Sequence, residues 1–234
     1  MKKLLLLLLF AIVFSSSLFA QEYYWTTYSF DVEAEDEEIV TKLFNDYFSA
    51  ANSKAEGVST FLFENHFIDS ANHASHTVAF TGTLDAMGKQ YSRGENISWE
   101  LFTTKLSRYI THHSAASGRS LISYGIPGSH SIQNLYILKV KNAAKFASAW
   151  EEYNSKFSPK DRRVTLGRFS LGRSSDGETH YVLSGVDSFE DAFNPGKYRE
   201  SNSSAKNAWS KFVEEFEENA QMIRTQTRVM IGKW

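Results

Sequence analysis

LYILKV at residues 135–140 opens the most regular stretch of the chain, and the segments after it decide the fold. They are NAAKFASAWEEYNSKF (142–157), RVTLGRFSL (163–171), THYVLSGV (179–186), SAKNAWSKFVEEFEENA (204–220) and RTQTRVMI (224–231). Four of the six are short and apolar or alternating, as strands are. In the other two, Trp150, Tyr153 and Phe157, and then Trp209, Phe212 and Phe216, recur every three or four residues, as on one face of a helix. The order is strand, helix, strand, strand, helix, strand.

That order is the split β-α-β arrangement of a ferredoxin-like unit, and residues 26–124 repeat it. A strand is expected at 26–32 with Tyr28, Phe30 and Val32 on one face, then a helix with Ile39, Val40, Leu43, Phe44, Tyr47 and Phe48 as its apolar stripe. The acidic run at 33–38 suits the positive end of that helix, with metal binding as the other reading. A strand pair at 58–67 and 76–83 brackets a polar loop at 69–75. Ser98 is placed to cap a helix carrying Trp99, Phe102, Leu106, Tyr109 and Ile110, and 119–124 reads as the last strand. VAFTG at 78–82 answers YVLSG at 181–185, and each precedes an irregular stretch (84–97 or 187–203) leading to a helix with a Trp. GIPGS at 125–129 marks the boundary. The expected organisation is a leader over 1–20, a first unit over 21–125, a linker at 126–129 and a second unit over 130–234.

The leader rests on Lys2-Lys3, an apolar run at 4–14 and a small-residue exit ending at Ala20, the pattern of a cleaved secretory signal. The apolar run falls short of the roughly 20 residues that span a bilayer. The expectation is a secreted or periplasmic protein with no stable membrane insertion after cleavage. The chain contains no Cys, which excludes disulfides, thiolate metal sites and a Cys nucleophile. Stability must come from the core, and 42% hydrophobic residues with 18 Phe can supply one. The formal net charge of −2 carries no nucleic-acid footprint.

A four-stranded sheet with both helices on one side leaves its other face bare. In the second unit Tyr136, Leu138 and Val140 lie on one side of a strand and Leu135 and Ile137 on the other, so both faces need cover. The equivalent face of the first unit is the simplest cover, giving an α+β fold with two antiparallel sheets packed face to face. This tandem pattern resembles the dimeric α+β barrel proteins, among them antibiotic-biosynthesis monooxygenase-like, stress-responsive barrel and chlorite-dismutase-like proteins. The resemblance is topological, covers nearly all of the mature chain and transfers no functional residue. It implies a cavity between sheet and helices that holds a small apolar or aromatic ligand, or haem.

Several constellations are candidates for chemistry. Glu64, His66, Asp69, His73 and His76 fall within one hairpin and include metal-ligand types, although a solvated hairpin explains them. His112-His113 is expected to close the Trp99 helix; His113 falls on its apolar stripe, where it would serve as a haem ligand or simply suit the helix C-terminus. His180 reads as a packed or surface strand residue. Trp99, Tyr109, His113, Trp150 and Trp209 are the expected pocket residues, with core packing as the competing account. Arg163, Arg168 and Arg173 would either clamp an anion or guard a sheet edge. Gly-x-Ser-x-Gly does not occur.

With no acid–base or nucleophile set in view, the expected function is a non-enzymatic small-ligand-binding or accessory protein without a cofactor. The alternatives are a cofactor-independent monooxygenase-like enzyme, which requires a closed pocket with a His, Asn or Trp beside the ligand, and a haem-binding protein of the same fold. Association into oligomers is compatible with all three.

Overall fold

The computed structural model describes residues 22–68, 73–159 and 162–234; the expected leader and Asp69 lie outside the described residues. Among the described residues there are eight strands: β1 (Tyr24–Val32), β2 (Ser59–His66), β3 (His76–Gly82), β4 (Ile110–Tyr124), β5 (Ile132–Val140), β6 (Val164–Leu171), β7 (His180–Val186) and β8 (Ala220–Lys233). The helices are α1 (Glu37–Phe48), α2 (Leu84–Tyr91), α3 (Ile97–Leu106), α4 (Ala143–Phe157), α5 (Phe189–Phe193), α6 (Lys197–Glu200) and α7 (Ser203–Asn219). None of the described helices is long and apolar enough to cross a membrane.

Each half has the expected β-α-β-β-α-β order, and the two bare sheet faces look at each other. Their edges also hydrogen-bond, β2 to β8 and β6 to β4, so the eight antiparallel strands close into one barrel in the order β1-β3-β2-β8-β5-β7-β6-β4. Period-two alternation sorts the side chains. Tyr28, Phe30, Val32, Leu62, Val78 and Phe80 point outward into a core under α1 and α3. Tyr136, Leu138, Val140, Val164, Leu166 and Val182 point outward into a second core under α4 and α7. Phe61, Phe63 and Ala79 form one cluster of inward residues, and Ile137, Tyr181 and Leu183 with Trp25, Leu135 and Phe169 form another.

Two long strands tie the halves together. The far end of β4 gives Leu121, Ile122 and Tyr124 to the second core, and the far end of the chain gives Ile231 and Trp234 to the first. Trp234 exchanges backbone hydrogen bonds of 2.9 Å with Thr60 in both directions. Where these strands meet β1 and β5 the register slips: between Ser29 and Phe30, and between Ile137 and Leu138. Each slip leaves one residue of the long strand without an opposite number (His113 or Ile223), and such bulges bend a sheet toward closure.

Four sequence expectations change. β4 begins at Ile110 rather than at 119; its first half, THHSAASG, is too polar to declare itself as a strand. α3 therefore stops at Leu106, so Tyr109 and His113 are not on it, and its cap is Asn96, whose side chain accepts from the Trp99 N–H at 3.1 Å, not Ser98. The stretches expected to be irregular hold α2 in the first half and α5 and α6 in the second. The hairpin repeat was also one residue out of step: the start of β3 at His76 answers the start of β7 at His180, so Val78 matches Val182 and not Tyr181. A one-residue slip exchanges the two faces of a strand. The observed pairing puts outward Val78 with outward Val182 and inward Ala79 with inward Leu183.

Candidate aromatic cavity between helices and sheet

In the first half the helices stand off the sheet and leave a cavity of about 610 Å³. The sheet side is Tyr28, Phe30, Val78 and Phe80, and the helix side is Phe44, Tyr47 and Phe48 of α1 with Trp99, Phe102 and Leu106 of α3. The rings support one another: Tyr47 stacks on Phe102 at 4.6 Å between centroids, and Phe44 meets Phe102 edge-on at 5.3 Å. Such pairs hold orientation beyond what burial alone gives.

Polar side chains also line the cavity, among them Gln90, Arg93, Glu95, Asn96, Glu100 and His112. Tyr91 hydrogen-bonds Thr26 at 2.6 Å and Tyr28 at 3.0 Å through its hydroxyl. Arg93 donates to the backbone carbonyls of Asn52 and Ser53, closing the loop after α1 over the loop after α2. Asn96 caps α3, and His112 sets its ring edge-on to Phe30 at 6.5 Å. His112, Asn96 and Trp99 all border the cavity. Its size, and a lining that sets rings beside polar side chains, match a small-molecule pocket.

The second half has the same topology, with its own aromatic core. Phe146, Trp150 and Tyr153 of α4 are almost wholly buried against Phe212 of α7. Trp150 stacks on Tyr124 at 6.0 Å, and Trp209 lies under the Arg199 guanidinium at 3.9 Å. The five expected pocket residues are thus dispersed. Trp99 borders the first-half cavity; Tyr109 packs at the margin of the first core; Trp150 and Trp209 belong to the second core. His113, the bulged residue of β4, hydrogen-bonds Asp31 at 2.6 Å through Nε2. It does not line the cavity, so it does not fit the haem-ligand role expected of it. His112, its neighbour, takes the cavity side because strand residues alternate.

The hairpin constellation also separates. His66 pairs with Glu64 at 3.2 Å, while His76 is buried and stacked on Phe30. His73 instead joins His113 and Asp31, and these three place one ligand atom each within 4.8 Å of one another, the only such trio among the described residues. Asp31 is already occupied. Burial opposes its ionisation, yet the His113 hydrogen bond, the Ser75 N–H at 2.8 Å and the charges of His113 and His73 hold its carboxyl below the usual range. The three arginines do not form a clamp: Arg168 is exposed, Arg173 is exposed beyond the end of β6, and Arg163 is buried.

No family model matches this chain, and no curated protein matches it. Solved structures do. A candidate monooxygenase from Fusobacterium nucleatum subsp. nucleatum ATCC 25586 superposes with a TM-score of 0.59 at 12% identity, covering 90% of this chain and 93% of that one. An anthrone oxidase-like protein gives 0.57 at 11% identity over 92% and 93%. A chlorite dismutase variant from Candidatus Nitrospira defluvii gives 0.53 at 14% identity over 90% and 92%. The fold is that of the dimeric α+β barrel proteins, with both units in a single chain.

Proposed function

We propose that the protein binds a flat, neutral aromatic molecule in the cavity between α1, α3 and the first-half sheet. The observation that carries this is the lining: about 610 Å³ lies open between helices and sheet, bordered by the rings of Tyr28, Phe30, Tyr47, Phe80, Trp99 and Phe102. A cavity of that kind is costly to maintain in a core, which otherwise packs as densely as an organic crystal. The resemblance in fold to an anthrone oxidase-like protein supports an aromatic occupant. The leader pattern supports an exported protein, and the N-terminus of the recovered mature chain is expected at Gln21.

A second reading has its own observation. His112, Asn96 and Trp99 border the same space, which is the arrangement a cofactor-independent monooxygenase-like enzyme requires, with the His112 imidazole accepting a proton from the substrate. One experiment separates the readings. Anthrone, a tricyclic aromatic ketone, is titrated while tryptophan emission and oxygen uptake are recorded together. Quenching without oxygen uptake is expected of a binding protein, and uptake abolished by His112→Gln of an enzyme. Gly94 borders the cavity and an added Cβ there meets nothing within 4 Å, so Gly94→Phe should block entry without disturbing the fold. Quenching unchanged in Gly94→Phe would place the ligand elsewhere and end both readings.

A further inference from the structure

The inside of the barrel is a second cavity, of about 560 Å³, walled by residues of all eight strands. Its walls are layered, as the strand registers show. At one level Arg228 of β8 faces Gln133 of β5, Gln133 faces Gly185 of β7, and Gly185 donates its N–H to the carbonyl of Arg163, just before β6. One inward level up lie Leu135 and Leu183, directly opposed. At the next, Arg224 faces Ile137 and Ile137 faces Tyr181. Successive inward levels lie about 7 Å apart, so the first and third are separated by about 13 Å. Above them the segment with Arg173, Ser174 and Asp176 is exposed and borders the cavity, giving it a mouth.

Among the described residues the charges inside do not balance. Arg224 is paired with Asp176 at 3.3 Å and Glu178 at 3.5 Å. Arg163 and Arg228, each 8% exposed, have no carboxylate partner among the described residues. Arg228 directs Nε and one terminal nitrogen at a single neutral acceptor, Gln133 Oε1, at 2.9 and 2.7 Å, and lies 3.9 Å from the centre of the Phe63 ring. Arg163 is worse off: its buried Nη1 has no hydrogen-bond partner among the described residues. Burial lowers the pKa of both guanidiniums, that of Arg228 to about 10, so both remain cations at neutral pH. Arg163, Arg228 and Tyr181 border the same cavity; burial raises the Tyr181 phenol, while both arginines act on it in the opposite sense. A buried charge without a counter-ion is strongly unfavourable, and an anion arriving between the two would offset that cost for both.

We propose that the barrel interior binds a small organic carboxylate, its head between Arg163 and Arg228 and its apolar body along Trp25, Leu135, Ile137 and Leu183. Planar guanidiniums suit carboxylate oxygens. The belt above them is apolar, so a free inorganic anion would leave that surface wet, whereas an aryl or alkyl acid fills both parts. This site is separate from the helix–sheet cavity and does not depend on what that cavity holds.

The test is calorimetric titration of the full chain with 2-naphthoate and with 2-naphthol, its uncharged counterpart. The wild type should bind naphthoate at least tenfold tighter than naphthol. Arg163→Met and Arg228→Met should each lose tenfold or more in naphthoate affinity, with naphthol affinity unchanged. Each should also melt at the same temperature as the wild type without ligand or higher, because the uncompensated charge is gone. Gly94→Phe should leave naphthoate binding intact. No preference for naphthoate in the wild type would overturn the proposal without recourse to any variant. So would naphthoate binding lost in Gly94→Phe, or ligand-free melting points lowered in both arginine variants alongside unaltered naphthoate affinity.

Discussion

At the scale of single residues, the duplication is clearest where the sequence seemed least repetitive. Ser75 and His76 at the start of β3 answer Thr179 and His180 at the start of β7. In both pairs the hydroxyl lies 2.9 Å from the following imidazole Nδ1 and accepts a 2.9 Å hydrogen bond from a valine N–H, Val32 or Val140, at the end of the neighbouring strand. A hydroxyl residue precedes four of the seven histidines, so these two pairs did not stand out in the sequence, and aligning the halves on their glycines hid the match by one position. The buried histidines have a consequence for pH. Desolvation depresses both His76 and His180, with Arg168 adding to the effect on His180. The unfolded chain therefore takes up protons first as pH falls through about 6.5, and stability drops below that value while remaining level above it. Urea midpoints from about pH 7.5 to about pH 5.5 should decline only in the lower part, and less in a His76→Gln, His180→Gln double variant.

At the scale of elements, close approaches explain two glycines inside strands. The Tyr181 ring lies across Gly167, where an added Cβ would come within 2.3 Å of it, and the Trp25 ring lies across Gly118 at 2.4 Å. These are inward aromatics leaning on a neighbouring strand that has no side chain at that point. Gly167→Ala should cost about 1–3 kcal/mol, the range for overfilling a packed site, and should lower the melting temperature by several degrees. The chain's last residue belongs to the same scale. Trp234 packs against Phe48 at 5.6 Å and Phe44 at 6.4 Å from the far end of β8. It is half-buried, so Trp234→Ala should destabilise by about 2 kcal/mol, below the 3–5 typical of a fully buried ring. A urea midpoint unchanged by that truncation would show the arm to be ornamental.

Legibility also varied by element. Strand and helix order was readable because each apolar face keeps one period along its whole length. The start of β4 was not, since its small and polar residues carry no hydrophobic signal. The barrel interior was the least readable: Arg224, Gln226 and Arg228 alternate with Thr225 and Thr227 as they would on a solvated face, and only ring closure turns that face inward. Of the expected pocket, Trp99 was placed by helical spacing. The other four could not be sorted between cavity and core, because an aromatic stripe looks the same over an empty space as over a filled one.

At the scale of the whole molecule, closure makes each half depend on the other. The lone second half would present two unpaired edges, β8 and β6, and an inward face bearing Leu135, Ile137, Tyr181 and Leu183. It would also lose Leu121, Ile122 and Tyr124, which reach its core from β4. Unpaired edges beside an apolar face invite pairing with another chain. Residues 130–234 expressed alone should therefore sediment as a dimer, rebuilding the barrel from two copies of β8 and β6, or precipitate. A well-folded monomer, with sharp amide resonances at millimolar concentration, would mean that the halves are separate domains. In the intact chain the junction strands should instead be among the last amides to exchange with solvent. The backbone hydrogen bonds between β2 and β8 and between β4 and β6 can open only if the ring itself opens, and the whole fold opens with it.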